Sequence, residues 1–472
     1  MRETLIYNHL VRHLDNLPTA DQDAALKKIA SFLSLTECDI IFLLTGYAGT
    51  GKTTLISSVV KTLGLLRRKT VLMAPTGRAA KVLTSVTGHQ ANTIHKKIYR
   101  QKTSKDPFGR FVLDRNLARD TIFIVDEASM VSNNSGDTSL FGSGRLLEDL
   151  IEYVYSGQNC RLMLVGDTAQ LPPVGSEVSP ALDPEVIRGF NFWIESAELK
   201  EVLRQSLCSG ILVNATRVRE QIMNGDLSRP ALDCSGFDDI IRLPGNDLLE
   251  ELAVSYDKCG LDGTIIVVNS NKQANRYNQG IRNRIFFREE EISPGDMVMV
   301  VKNNYSLADE EDPYRFIANG DIAKVLKVRK YEERYGFRFA VMELRFPDYA
   351  MEVETLVMLD VLHLDSPALP ADRSNELFNA LLEEYSSIRI KRKRYEAIRE
   401  DPYFNALQIK FAYAVTCHKA QGGQWERVFI DQGMFNRAEV SVDYLRWFYT
   451  ALTRATGKVY LVNFSDDFFI PR

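Results

Sequence analysis

Residues 39–54, DIIFLLTGYAGTGKTT, constrain this chain more than any other stretch. Ile40 to Leu44 is an unbroken apolar run, the pattern of a parallel strand buried on both faces. It leads directly into GYAGTGKT, Gly46 to Thr53, a P-loop at the required spacing. Gly46, Gly49 and Gly51 let the backbone wrap its N–H groups around phosphate oxygens. A helix opening at Lys52 adds the positive end of its dipole. Lys52 then reaches the β- and γ-phosphates, the Thr53 hydroxyl can hold Mg2+, and Thr50 and Thr54 flank them. A nucleoside triphosphate is the expected ligand.

The rest of the α/β pattern radiates from that loop. Residues 1–35 read as two helices, the second opened by Pro18-Thr19. Gln22 in the second has a side-chain amide suited to an adenine edge, or is simply a solvated helix glutamine. Thr70 to Ala74 is a second buried strand ending in Pro75-Thr76-Gly77-Arg78. Strand ends of this kind lie at the carboxyl edge of a sheet, where open α/β folds bind ligands. Pro75, Thr76 and Arg78 there, with Thr93 and His95 just beyond, could grip a phosphodiester backbone, or form ordinary polar loops. Thr121 to Val125 is a third strand, and it delivers two adjacent carboxylates. Asp126 suits the Mg2+ shell and Glu127 suits the base that deprotonates an attacking water. Arg161 to Val165 ends in GDTAQLPPV, a rigid turn that carries Asp167 and Gln170.

Between these strands, Tyr99 to Asp120 breaks the rhythm. SKDPFGRF reads as a turn between two short strands, with Phe108 and Phe111 near the tip. Such a hairpin is either a wedge against a base pair or a surface excursion with one buried Phe. Residues 133–144 are polar and Gly/Ser-rich, a flexible loop.

A second α/β unit starts with the buried run Thr264 to Val268. It is interrupted from about Ile292 to Pro402 by four strand-like segments, 297–301, 322–328, 337–344 and 351–358, which suggest a small β-barrel. The charged run 376–400, with RIKRKR at 389–394, reads as a helical projection from it. The α/β unit is expected to resume at Ile409, placing Thr416, His418 and the Gly422-Gly423 turn beside another strand. Arg204, just past the first unit, and Arg454, near the end of the second, are candidate arginine fingers for a nucleotide between the two units.

Composition bears on partners and location. Net charge is −4, so no global basic field advertises a nucleic acid, although a local groove can be basic. The 6 cysteines are scattered without a CxxC pair, as expected for reduced thiols. The amphipathic N-terminus lacks a signal peptide's apolar core, and no run is long enough to span a bilayer. A cytoplasmic protein without a membrane partner is expected.

Taken together, GYAGTGKTT, APTGRAAKV, TIHK, VDEAS, VGDTAQLPPVG, EVLRQ, VTCHKAQGGQWERVFID and YTALTRA resemble the ordered motif set of superfamily 1 DNA helicases, most closely the RecD-like and Dda-like 5′→3′ branch. The resemblance runs from Gln22 to Arg454. It implies two RecA-like P-loop domains with parallel sheets (1–200, and 201–290 plus 405–472). It also implies a hairpin pin at about 98–119 and an SH3-like barrel with a helical arm at 291–404. By the same resemblance Gln22 would read adenine, and Lys52 and Thr53 would hold phosphate and Mg2+. Asp126 would bind the metal, Glu127 would be the base, and Gln170, Arg204 and Arg454 would stabilise the γ-phosphate, with Gly423 at the nucleotide. Pro75, Thr76, Arg78, Thr93, His95, Phe108, Thr416 and His418 would lie along DNA. The implied cofactors are ATP and Mg2+, and the implied partners are single-stranded and tailed duplex DNA together with replication or repair proteins. An RNA-directed helicase of the same superfamily and a nucleotide-switched subunit of a nuclease complex are the alternatives.

Overall fold

The computed structural model describes residues 2–14, 16–35, 39–101, 111–134, 142–202, 209–304, 317–347, 351–433 and 440–470. Arg204, Phe108 and most of the 133–144 loop lie outside them. Eighteen strands are described in chain order: β1 (Ile40–Gly46), β2 (Lys69–Ala74), β3 (Ala91–Thr93), β4 (Tyr99–Gln101), β5 (Phe111–Leu113), β6 (Thr121–Val125), β7 (Arg161–Gly166), β8 (Trp193–Leu199), β9 (Ile240–Leu243), β10 (Thr264–Val268), β11 (Met297–Val300), β12 (Ile322–Arg334), β13 (Phe337–Phe346), β14 (Met351–Met358), β15 (Leu407–Phe411), β16 (Ala414–Thr416), β17 (Trp425–Asp431) and β18 (Ala455–Val462).

The apolar runs pair as their two-sided burial requires. β1, β6 and β7 sit inside a six-stranded sheet of order β3-β2-β6-β7-β1-β8, in which every pairing is parallel. Helices cover both faces of such a sheet, and the cores on its two sides are separate clusters, one around Phe42 and Leu55, the other around Phe123 and Leu150. β8 is an edge strand whose exposed and half-buried residues hide the apolar signal, and the sequence did not mark it. The second sheet, of order β16-β10-β17-β18-β9, is also parallel throughout.

Two expectations change in the insertions. The four barrel strands are present, with β12 and β13 extending into a longer hairpin than the apolar pattern marked. The barrel closes through a fifth strand, β15, which pairs with β11 and β14. Ile409 therefore belongs to the barrel, and the second sheet resumes only at Ala414. The charged run forms two helices, Ala371–Glu384 and Lys391–Glu400, that seat Leu377, Leu381 and Ile398 on the barrel's outer core. In the first unit β4 and β5 form the expected antiparallel hairpin. Phe111, however, is buried in the same hydrophobic cluster as Tyr99 and Tyr153 rather than presented near a tip.

Candidate nucleotide and nucleic-acid sites

β1, β2, β6 and β7 are parallel neighbours, so their carboxyl ends come together at one sheet edge, and the loops that follow them make the site. The P-loop needs its glycines for distinct reasons. Gly49 and Gly51 hold φ of 78° and 86°, the left-handed region that side chains resist. At Gly46 a Cβ would stand 2.9 Å from both Leu199 Cβ and Thr50 Oγ1. Lys52 Nζ donates to the Gly46 and Tyr47 carbonyls at 2.7 and 2.9 Å, and the Thr50 hydroxyl donates to the Tyr47 carbonyl at 2.8 Å. Thr53 opens the helix Lys52–Leu65 half-buried, and Thr54 is exposed.

Gln22 lies behind this loop as a capping residue. Its Oε1 accepts from the Thr19 amide at 3.1 Å, and its Nε2 donates to the Thr50 carbonyl at 2.9 Å. The amide thus braces the P-loop and keeps one N–H and one lone pair uncommitted.

After β6, Asp126 Oδ1 accepts from the Glu127 amide at 2.9 Å, and this bond accompanies a left-handed Glu127, φ 52°. A non-glycine residue in that region costs on the order of 1 kcal/mol or more, and the surrounding structure must impose it. Burial and then the neighbouring Glu127 charge push the Asp126 carboxyl up to about 7, against the pull of the Glu127 amide and Lys52. A divalent cation beside Asp126 would favour the ionised form, so this carboxylate suits a metal such as Mg2+. Gln170 is buried, and its Oε1 has no hydrogen-bond partner among the described residues, as a group turned toward an added ligand would be.

The second sheet completes this edge. Arg454, buried, places Nη1 3.9 Å from Glu127 Oε1 and 3.4 Å from the Gly423 carbonyl, while its Nε donates to the Thr450 carbonyl at 3.0 Å. Gly423 is required for close packing, since a Cβ there would come within 2.4 Å of the Trp425 ring. Arg78 does not stand free for a phosphate chain: its guanidinium lies 4.1 Å over the Trp425 ring and donates to the Gln424 carbonyl at 3.4 Å.

The other expected strand contacts divide. Thr76 and Thr93 cap helices, accepting from the Ala79 and Lys96 amides, and Thr93 is buried. Pro75 precedes the Thr76 cap, half-buried. His95, half-buried, packs beside Tyr99, and desolvation lowers its pKa to about 4, so it is neutral at ordinary pH. Thr416 is half-buried at the end of β16. His418 lines a cavity of about 400 Å3 between the Leu171–Ser176 loop and the helix Val442–Leu452, with Asn269, Tyr444 and Trp447 in its wall.

Sequence reasoning missed the part played by Tyr449. Tyr449 opens the YTALTRA block, but its significance depends on Asp167, far away along the chain.

A family model described as an AAA domain matches residues 18–231, and one described as a UvrD-like helicase C-terminal domain matches residues 411–462. The ATP-dependent DNA helicase dda of Enterobacteria phage T4 is 24% identical over 434 residues, covering 89% of this chain and 93% of its own. By sequence the chain is similar to this ATP-dependent DNA helicase over most of both lengths. The ATP-dependent RecD2 DNA helicase of Deinococcus radiodurans is 25% identical over 431 residues, covering 89% of this chain and 46% of its own length. A Pif1 helicase from Bacteroides, solved with ADP-AlF3 and single-stranded DNA, superposes at a TM-score of 0.47 and 15% identity, with 97% of this chain and 95% of that one covered. Among the described residues no helix is long and apolar enough to cross a membrane.

Proposed function

We propose that the chain is an ATP-dependent 5′→3′ DNA helicase that couples hydrolysis between its two sheets to strand separation. The observation that carries this reading is the approach of Arg454, from the second sheet, to Glu127 of the first, beside the P-loop. One nucleotide site built from two halves makes hydrolysis a change in their relative position. We assign 1–200 and about 201–290 with 412–472 to the two motor lobes, and 291–411 to the barrel with its helical arm.

In this reading Gly46, Gly49, Thr50, Gly51 and Lys52 cradle the triphosphate, with Gln22 at the adenine. Thr53 and Asp126 hold Mg2+, which when bound neutralises charge on the phosphate oxygens. Glu127 takes the proton of the attacking water. Gln170, Arg204 and Arg454 steady the γ-phosphate. Single-stranded DNA crosses the sheet edge past Pro75, Thr76, Thr93, His95, Thr416 and the His418 cavity, and the hairpin carrying Phe108 meets the duplex. Replication or repair proteins are the expected company, in the cytoplasm.

The deciding experiment is unwinding of matched duplexes carrying a 5′ or a 3′ single-stranded tail, with Glu127→Gln as control. ATP-dependent unwinding of the 5′-tailed duplex alone supports the reading. Unwinding from the 3′ tail alone reverses the direction, and stronger stimulation of ATP hydrolysis by RNA than by DNA replaces the substrate.

A further inference from the structure

The tip of the P-loop is held from across the cleft. Tyr47 and Ala48, between Gly46 and Gly49, meet groups supplied by the second half. The Tyr449 hydroxyl accepts from the Ala48 amide at 2.9 Å and donates to Asp167 Oδ2 at 2.6 Å. The Arg219 guanidinium, on the helix Gly210–Asn224, lies 4.4 Å over the Tyr47 ring, a cation–π contact between buried groups. Arg219 Nε has no hydrogen-bond partner among the described residues, and Nη2 stands 3.7 Å from Glu220 Oε1, so the guanidinium is shared between the ring face and that carboxylate. On the same helix the Leu212 methyls stand 3.2 and 3.3 Å from where a Cβ on Gly49 would be.

The Asp167–Leu171 turn is gripped at both ends. Beyond the Tyr449 contact to Asp167, the Leu171 amide donates to Thr450 Oγ1 at 2.9 Å, and its carbonyl accepts from Gln421 Nε2 at 2.7 Å. Leu171 also lines the cavity that contains His418. A single path of packed groups therefore runs from the P-loop backbone through Tyr449 to the turn and on to the wall of that cavity.

We propose that Tyr449 and Arg219 are positioning residues that read the conformation of Tyr47–Ala48 and pass the state of the nucleotide site to the Asp167–Leu171 turn and the nucleic acid beside it. This rests on the helicase reading above. A tyrosine hydroxyl has one proton to give; here it goes to Asp167, which leaves the oxygen as acceptor for Ala48. Both bonds join the P-loop half to the helix Val442–Leu452 of the second half. Coupling of this kind is reciprocal: the factor by which a nucleotide changes affinity for the strand equals the factor by which the strand changes affinity for the nucleotide.

The test measures binding of a fluorescent oligo-dT with and without a non-hydrolysable ATP analogue and Mg2+, beside steady-state ATP hydrolysis with and without oligo-dT. The variants are Tyr449→Phe, Arg219→Met and the conservative Arg219→Lys. Tyr449→Phe and Arg219→Met are expected to bring the coupling factor to within about twofold of one. They should lower oligo-dT-stimulated kcat at least tenfold and shift KM for ATP less than about threefold, while Arg219→Lys keeps most of the coupling. Unchanged coupling in Tyr449→Phe and Arg219→Met overturns the proposal, as does loss of nucleotide affinity in step with kcat, which makes both residues plain supports of the P-loop. A wild-type chain that oligo-dT does not stimulate overturns the helicase reading itself. A stimulated wild type with unaltered variants overturns only the coupling role.

Discussion

Tyr449 and Asp167 share a 2.6 Å hydrogen bond across the cleft, fully buried on both sides. Burial raises the Asp167 carboxyl above its usual range, while the charge of Lys52, the Tyr449 hydroxyl and the Ala169 amide pull it back. The GDTAQ turn is thus tied to the helix Val442–Leu452 of the second unit and feels the charge of Lys52 in the P-loop.

Glu127→Gln should reduce ATP turnover by roughly 10²- to 10⁴-fold, the contribution of a positioned general base, while a fluorescent ATP analogue still binds. Loss of analogue binding in that variant would reassign Glu127 to holding the strained turn after β6.

Arg454→Ala should lower kcat by about 10³-fold or more, the scale of an arginine finger. Single-turnover hydrolysis at saturating ATP is the check. A rate within a few-fold of wild type would leave Arg454 as packing for Gly423 alone.

Phe111 and Phe108 should behave oppositely. Phe111→Ala opens a cavity in the first core and should cost roughly 3–5 kcal/mol, visible as a lowered midpoint in urea. Phe108→Ala should spare stability and DNA-stimulated hydrolysis while reducing unwinding; equal loss of hydrolysis and unwinding would remove it from the pin.

For His95, a folded pKa near 4 lies below the ordinary 6.5 of the unfolded chain, so its contribution to stability is present above pH 6.5 and is lost as pH falls toward 4. His95→Gln should flatten the stability profile in that window relative to wild type. An unaltered acid limb in urea titrations at pH 4 to 7 would show that His95 is not held neutral.

Asp296→Ala should cost roughly 3–5 kcal/mol, because Arg282 and Arg288 both pair with this fully buried carboxylate and would be left without it. Equilibrium unfolding measures it, and a loss under about 1 kcal/mol would mean that the arginines find other acceptors.

Much of this was legible in the sequence, for identifiable reasons. β1, β6, β7 and β10 are buried on both faces, so burial writes itself as an unbroken apolar run. β8 reads WIESAEL, because an edge strand needs few apolar residues, and the far half of β12 reads KVRKYEER, because it leaves the core. β15 looked like the start of the second sheet since only two residues separate it from β16, and no local pattern says which sheet will claim a strand. The positions of Lys52, Asp126 and Glu127 followed from motif spacing. What Arg78, Thr93 and Tyr449 touch did not, since their partners depend on how distant segments meet.

The two residues between β15 and β16, Ala412 and Tyr413, are the whole of the barrel's exit. Tyr413 donates to Asp296 Oδ1 at 2.8 Å and accepts from the Met297 amide at 3.3 Å, where the chain enters β11. Entrance and exit are thereby riveted to one another and to the second sheet. The Tyr413 carbonyl also accepts from the Ile266 amide of β10 at 3.0 Å, so one residue bonds the barrel's first strand and an inner strand of the second sheet at once.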